Sequence, residues 1–264
     1  MEKKFLITNQ RDYDLHTIHY SRLEQFNPTL PLVILVHGYC GDKENAGYNN
    51  PNFDKGRYHK LATALLEVGF EVLAFDLSGQ GENIREPIRI SHAIQDLEDV
   101  YIYAQNLGYH TIGTVGYSMG GLVSLHARLP DRKVAVFWAP AFYPSRAASK
   151  LKRKLYSLIL SLRRKPIKAG ANFQDVLIDK KSFQESLLGT PDVMLQQFTI
   201  PTLILQGDCD PTVQQAWTEE AFHKMPQDAN HRIKIIPRAE HHFHREILQE
   251  FITFTRDFFL KHLK

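Results

Sequence analysis

Cysteine is scarce in this sequence. Only Cys40 and Cys209 occur among its 264 residues, so no disulfide framework can hold the fold, and a reducing, cytoplasmic setting is expected. Long apolar runs are missing as well. The stretch Leu32-Val33-Ile34-Leu35-Val36 is only five residues long, far short of the roughly 18 that span a bilayer. The opening residues 1–10 contain two lysines but no apolar core of signal-peptide length. Neither charge sign dominates: 32 Lys and Arg against 29 Asp and Glu leave a net +3, too little to demand a nucleic acid. What the chain does have is 43% hydrophobic and 23% charged residues, the balance of a core-forming globular protein. Its 13 histidines make it responsive to mild acid.

Short β-branched runs alternate with stretches of helical period. Strands are expected over 5–8, 15–20, 32–36, 70–75, 111–116, 134–138, 202–206 and 232–236. Helices are expected over 58–68, 92–107, 119–128, 214–225 and 243–263, with Gly69 and Gly108 as stop signals for the first two. Residues 32–36 are continuously apolar, as a strand buried on both faces of a parallel sheet must be. Residues 40–56 read as a long polar loop. Between Pro140 and Pro201 the strands stop, leaving about sixty helical or irregular residues. The alternation implies an α/β architecture: a mostly parallel sheet with helices on both faces and one helical insertion. Residues 1–139 and 200–264 then form one core, and 140–199 a cap. No internal repeat or low-complexity tract is present.

The most informative string is Gly116-Tyr117-Ser118-Met119-Gly120, of the form G-x-S-x-G between an expected strand and an expected helix. A strand-to-helix turn this sharp forces the serine into a strained backbone and needs glycines where side chains would collide. The hydroxyl then stands at the positive end of the following helix. Two other strings sit after expected strands: His37-Gly38-Tyr39-Cys40 and Asp76-Leu77-Ser78-Gly79-Gln80-Gly81. Gly79-x-Gly81 is not a dinucleotide loop, because Ile84 stands where the third glycine belongs.

In the order and spacing of these strings the chain resembles the α/β-hydrolase family, specifically its esterase, lipase and acylglycerol-lipase-like members. The resemblance runs from about residue 15 to 260 and implies the α/β-hydrolase fold with a helical lid. It also implies a serine nucleophile whose acid and base follow in chain order. Gly207-Asp208-Cys209-Asp210-Pro211-Thr212-Val213 resembles the family's G-x-x-D-x-x-V string and puts the acid on Asp210, with Asp208 as the competitor. Pro237-Arg238-Ala239-Glu240-His241 puts the base on His241, although Arg238 replaces a usual glycine and His242 and His244 stand close by. The oxyanion hole implied by the resemblance uses the backbone N–H groups of Tyr39 and Met119.

The activity so implied is ester hydrolysis on Ser118, His241 and Asp210 with no cofactor. A thioesterase, a peptidase or a non-catalytic binding protein on the same fold are the alternatives. A hydrolytic metal site is a different class; His242-Phe243-His244-Arg245-Glu246 approaches H-x-H-x-D but carries Glu at its fifth position. The expected partner is a small-molecule ester, with no metal and no nucleic acid.

One further absence stands out. Residues 146–168 contain nine Lys or Arg and no Asp or Glu. Leu151, Leu155, Leu158, Ile159 and Leu162 form one apolar helical stripe there. Such a stripe is expected to pack on the domain beneath, the alternative being contact with acidic substrates or an anionic lipid surface.

Overall fold

The computed structural model describes residues 1–23, 25–45, 56–146, 150–163, 165–169, 176–187, 191–227 and 229–264. The chain opens with strands β1 (Glu2–Thr8), β2 (Asp14–Tyr20) and β3 (Leu32–Val36), then runs α1 (Arg57–Glu67), β4 (Glu71–Phe75), α2 (Ile90–Asn106) and β5 (Ile112–Tyr117). Helix α3 (Met119–His126) and β6 (Val134–Trp138) follow. After an insertion, β9 (Thr202–Gly207), α7 (Gln215–Lys224), β10 (His231–Ile236) and α8 (Arg245–His262) complete the core. The expected loop over 40–56 falls partly on residues 46–55, which lie outside the described residues.

The eight-stranded sheet has the order β1-β2-β4-β3-β5-β6-β9-β10. β1 pairs antiparallel with β2 and β2 with β4, while every pair from β4 to β10 is parallel. Side-chain alternation explains the apolar runs. Val33 and Leu35 point to one core with Tyr58 and Leu61 of α1 and Phe251 and Phe259 of α8. Leu32, Ile34 and Val36 point to the other, with Leu97 and Val100 of α2 and Val123 of α3. A strand covered on both faces has no solvent side, so it carries no polar alternation.

β3 pairs with β4 on one side and β5 on the other. The chain thus leaves the centre in one direction and returns to build in the other, which opens a crevice at the carboxyl ends of β3 and β5. That crevice holds the residues described next.

The insertion between β6 and β9 contains the 3₁₀ turn Pro144–Arg146, α4 (Lys150–Ser161), β7 (Ile167–Ala169), β8 (Val176–Ile178), α5 (Lys180–Leu187) and α6 (Asp192–Gln196). The expectation that strands stop here is corrected: β7 and β8 pair antiparallel, Ile167 opposite Ile178. Three residues are too few to display a period of two, which is why the pattern hid them. Ion pairs on two sides help to tie the insertion to the core. Arg89, just ahead of α2, grips both carboxylate oxygens of Asp179 at 2.7 and 2.6 Å. Arg146 and Lys224 share Glu220 at 2.6 and 2.8 Å, and Lys224 also holds Asp192 of α6 at 2.9 Å. No described helix is long and apolar enough to cross a membrane.

The apolar stripe does not pack on the domain beneath. Leu155, Leu158, Ile159 and Leu162 face water, while Leu160 is buried. The side chain of Leu151 lies outside the described residues. Helical periodicity defines a face but not the direction in which that face points.

Candidate active site

Ser118 sits between β5 and α3 with φ 51° and ψ −114°, a conformation that costs on the order of 1–3 kcal/mol for a residue with a Cβ. Surrounding contacts enforce it. Its N–H donates to Trp138 O at 2.9 Å, and its carbonyl accepts the N–H groups of Gly121 and Ala141 at 3.0 and 2.9 Å. Close approach explains the two flanking glycines. A Cβ on Gly120 would lie 2.1 Å from Val36 O, and one on Gly116 would lie 2.6 Å from Gly120 O.

The Ser118 hydroxyl meets His241, whose Nε2 is 3.0 Å from Oγ. The other ring nitrogen, Nδ1, is 2.7 Å from Asp210 Oδ2. Asp210 is itself fixed: Oδ1 accepts the N–H groups of Thr212 and Val213 at 2.8 Å each, and Gln206 Nε2 donates to Oδ2 at 3.3 Å. All three residues are buried. Hydrogen-bond partners on both sides of the imidazole fix its orientation, and an Nδ1–H to the carboxylate leaves Nε2 free to accept.

The competitors lie elsewhere. Asp208 accepts the Arg238 N–H at 2.6 Å and closes an exposed turn. Arg238, where a glycine was expected, has φ 61°, so the backbone has the geometry a glycine would give. His242 meets the Tyr117 hydroxyl at 3.1 Å through Nδ1, whereas the Ser118 hydroxyl is bonded to His241. Burial, followed by the nearby His241 and Arg57, pushes its pKa down to about 4. His244 stands at the residue just before α8. Among the described residues no group of three or more His, Cys, Asp or Glu could hold a metal ion.

Tyr39 and Met119 line a cavity of about 240 Å³ together with Ser118. Among the described residues, neither backbone N–H has a hydrogen-bond partner, so both remain available to a ligand oxygen. Among the described residues the cavity wall carries no charged side chain; Leu122, Tyr143, Val213 and Trp217 supply much of it. A second cavity of about 200 Å³ shares Tyr39, Ile90, Met119 and Ser186 with the first and continues to Ile178 and Phe183. The insertion thus forms part of both walls.

Several positioning roles gave no signal in the sequence. Tyr117 lies with its ring 5.2 Å from that of His241, and its hydroxyl donates to His241 O at 2.8 Å. His37, read earlier only for its place in the His-Gly string, links two loops. Its Nδ1–H donates to Gly38 O at 2.8 Å and its Nε2 accepts the Leu77 N–H at 2.9 Å. Burial lowers its pKa, which favours the neutral ring this pairing requires. Lys43 and Asp76, both buried, pair at 2.8 Å and tie the loop after β3 to the one after β4. Single-residue identities carry none of the pairings that join separate segments, because those partners are 33 to 124 residues apart.

Comparison with known proteins bears on the fold that carries these residues. The family model for the alpha/beta hydrolase fold matches residues 31–135, which include Ser118 and the His-Gly string. The chain is similar to an uncharacterized 31.7 kDa protein of the traX-finO intergenic region of Escherichia coli, 33% identical over 118 residues. That match covers 43% of this chain and only 37% of the relative's length. Among solved structures, Est1E from Butyrivibrio proteoclasticus with bound ferulic acid superposes with a TM-score of 0.78 at 19% identity, covering 97% and 98% of the two chains. An esterase, EaEST, from Exiguobacterium antarcticum gives 0.70 at 14% identity, covering 97% and 99%. The chain has the α/β-hydrolase fold.

Proposed function

We propose that this protein is a serine hydrolase that cleaves carboxylic esters. The observation that carries the reading is the continuous hydrogen-bond chain from Ser118 Oγ through His241 to Asp210. In this reading His241 Nε2 accepts the hydroxyl proton as Ser118 Oγ bonds to the acyl carbon. The carbonyl oxygen becomes an oxyanion beside the Tyr39 and Met119 N–H groups, where each fixed donor is worth roughly 3–4 kcal/mol toward the transition state. Collapse expels the alcohol, which takes the proton from His241 and leaves an acyl-serine. Water then repeats the sequence: His241 takes its proton, the acid departs, and Ser118 is restored. Asp210 holds the imidazole throughout, and no cofactor enters.

The uncharged walls of the cavity favour neutral, largely apolar esters. The likeness to EaEST and to the ferulic acid-binding Est1E supports an ester substrate. The two free thiols suit a reducing compartment, in keeping with a cytoplasmic location. A fluorophosphonate probe tests the site. It is expected to label one serine and to leave Ser118→Ala unlabelled, while aryl esters of increasing chain length report turnover. Equal labelling of Ser118→Ala overturns the assignment. Labelling without turnover of any ester, but with turnover of thioesters or anilides, moves the substrate class and keeps the nucleophile.

A further inference from the structure

Helix α4 turns most of its described aliphatic side chains outward. Leu155, Leu158, Ile159 and Leu162 are 55%, 58%, 40% and 78% exposed, and their spacing puts them on one helix face. The Leu162 N–H still donates to Leu158 O, which continues the last turn. The other side of the helix does the packing: Leu160 is buried, and the half-exposed Tyr156 has its ring 6.4 Å from that of Phe183 in α5. Single exposed leucines are ordinary on a protein surface, whereas four large aliphatic side chains along one helix face form a patch that calls for a partner.

A second, independent feature adjoins this helix. A cavity of about 300 Å³ lies between the end of α4 and the start of α5, and Arg163, Lys165, Lys180 and Lys181 line it. The one carboxylate among its described lining residues, Asp179, already has both oxygens in the grip of Arg89. The surrounding sequence repeats the imbalance, with nine cations and no acid over residues 146–168. Four like charges around one cavity repel each other, and an anion placed among them removes that repulsion.

The two features together select a partner. A free phosphate would fill the cation-lined cavity and leave the leucines in water. A second copy of this chain would cover the leucines but bring the same positive charge against itself. An anionic phospholipid surface offers phosphate oxygens and hydrocarbon side by side, which matches both. We propose that α4 and the adjoining cavity form a peripheral docking site for anionic phospholipid membranes. Leu155, Leu158, Ile159 and Leu162 enter the headgroup boundary, and Arg163, Lys165, Lys180 and Lys181 meet the lipid phosphates. Helix α5 separates this site from the substrate cleft: Lys180, Lys181 and Gln184 line the cationic cavity, while Ser182, Phe183 and Ser186 line the cleft. Docking is independent of the hydrolase reading, so its test uses no activity measurement.

The experiment is co-sedimentation of the full chain with phosphatidylcholine vesicles, with and without phosphatidylserine, at low and high salt. Binding is expected only with phosphatidylserine and is expected to weaken at high salt. Lys165→Gln with Lys180→Gln is expected to weaken it about fivefold per charge removed. Leu158→Gln with Leu162→Gln is expected to weaken it at least tenfold, with an unchanged melting temperature confirming that both pairs fold. Absent binding, equal binding to neutral vesicles, or wild-type binding by both variant pairs overturns the proposal. Calorimetric binding of inorganic phosphate without vesicle binding reduces the cavity to a free-anion site and also overturns it. Concentration-dependent dimerisation that Leu158→Gln with Leu162→Gln abolishes assigns the stripe to a second copy, with the same consequence.

Discussion

The carboxyl edge of the sheet and helix α4 handle their side chains in opposite ways. At the sheet edge Ser118, His241 and Asp210 are buried, and each bonds the next. In α4 four aliphatic side chains stand in water beside a cation-lined cavity. The first region is determined from within, by strand ends and backbone hydrogen bonds that leave one arrangement. The second is determined only on its packed side, and its outer face answers to whatever lies beyond the molecule. Substitutions should therefore cost activity or stability at the sheet edge and neither on the exposed face of α4.

The largest expected contrast is in turnover. Ser118→Ala and His241→Ala should each lower kcat on an aryl ester by on the order of 10⁶, whereas His242→Ala and Leu158→Gln should stay within about tenfold of wild type. An inactive but folded His242→Ala would shift the general base by one residue. Asp210→Asn should lose about 10⁴ and Asp208→Asn almost nothing. Steady-state rates on purified variants decide both pairs.

Stability sharpens the same contrast. Gly120→Ala puts a methyl group 2.1 Å from Val36 O, between two backbone segments that cannot part without breaking the β3–β5 pairing. It should cost about 3 kcal/mol or more, against less than about 0.5 kcal/mol for Leu158→Gln on the outer face of α4. Urea midpoints measure both. Equal losses would mean that the outer face of α4 is packed after all.

The strand core was legible because a strand buried on both faces has little freedom in composition. The 134–138 run became β6 with the bounds its apolar residues suggested, and 32–36 became β3 likewise. The elbow was legible because G-x-S-x-G is a steric demand, visible here as φ 51° at Ser118. Less was legible where a long-range partner decides. Nothing in the string around Tyr117 announces that its hydroxyl would hold His241 O, and nothing near Lys43 names Asp76 as its partner. β7 and β8 were too short to show alternation. The outward turn of α4 was hidden because periodicity reports a face without its direction.

The smaller effects concern titration. His242 has its pKa held down to about 4 by burial, against 6.5 as a free side chain. Between these values the unfolded chain binds a proton that the folded chain refuses, so stability falls as pH drops through the window and is fully present above it. His242→Asn should flatten that dependence by about 2 kcal/mol, allowing for its partial exposure; melting temperatures from pH 7 to 4 measure the change. A slope unaltered by the substitution would move the titrating group elsewhere. The smallest effect is at the thiols. Burial pushes Cys40 up to about 11, whereas Cys209 is exposed. A neutral disulfide reagent should therefore modify Cys209 and spare Cys40 in the folded chain, a one-thiol count that denaturant raises to two.

The bidentate grip of Arg89 on Asp179 reaches further than the two residues it joins. The pair holds the Asp179 carboxyl down to about 2, so mild acid leaves the linkage intact, and Glu220 with Arg146 and Lys224 anchors the segment from the opposite side. Through these described ion pairs the segment is coupled to the sheet as a keel is to its hull. Whatever seizes the outer face of α4 therefore sets the attitude of the whole body, including the bearing of the serine crevice relative to that surface.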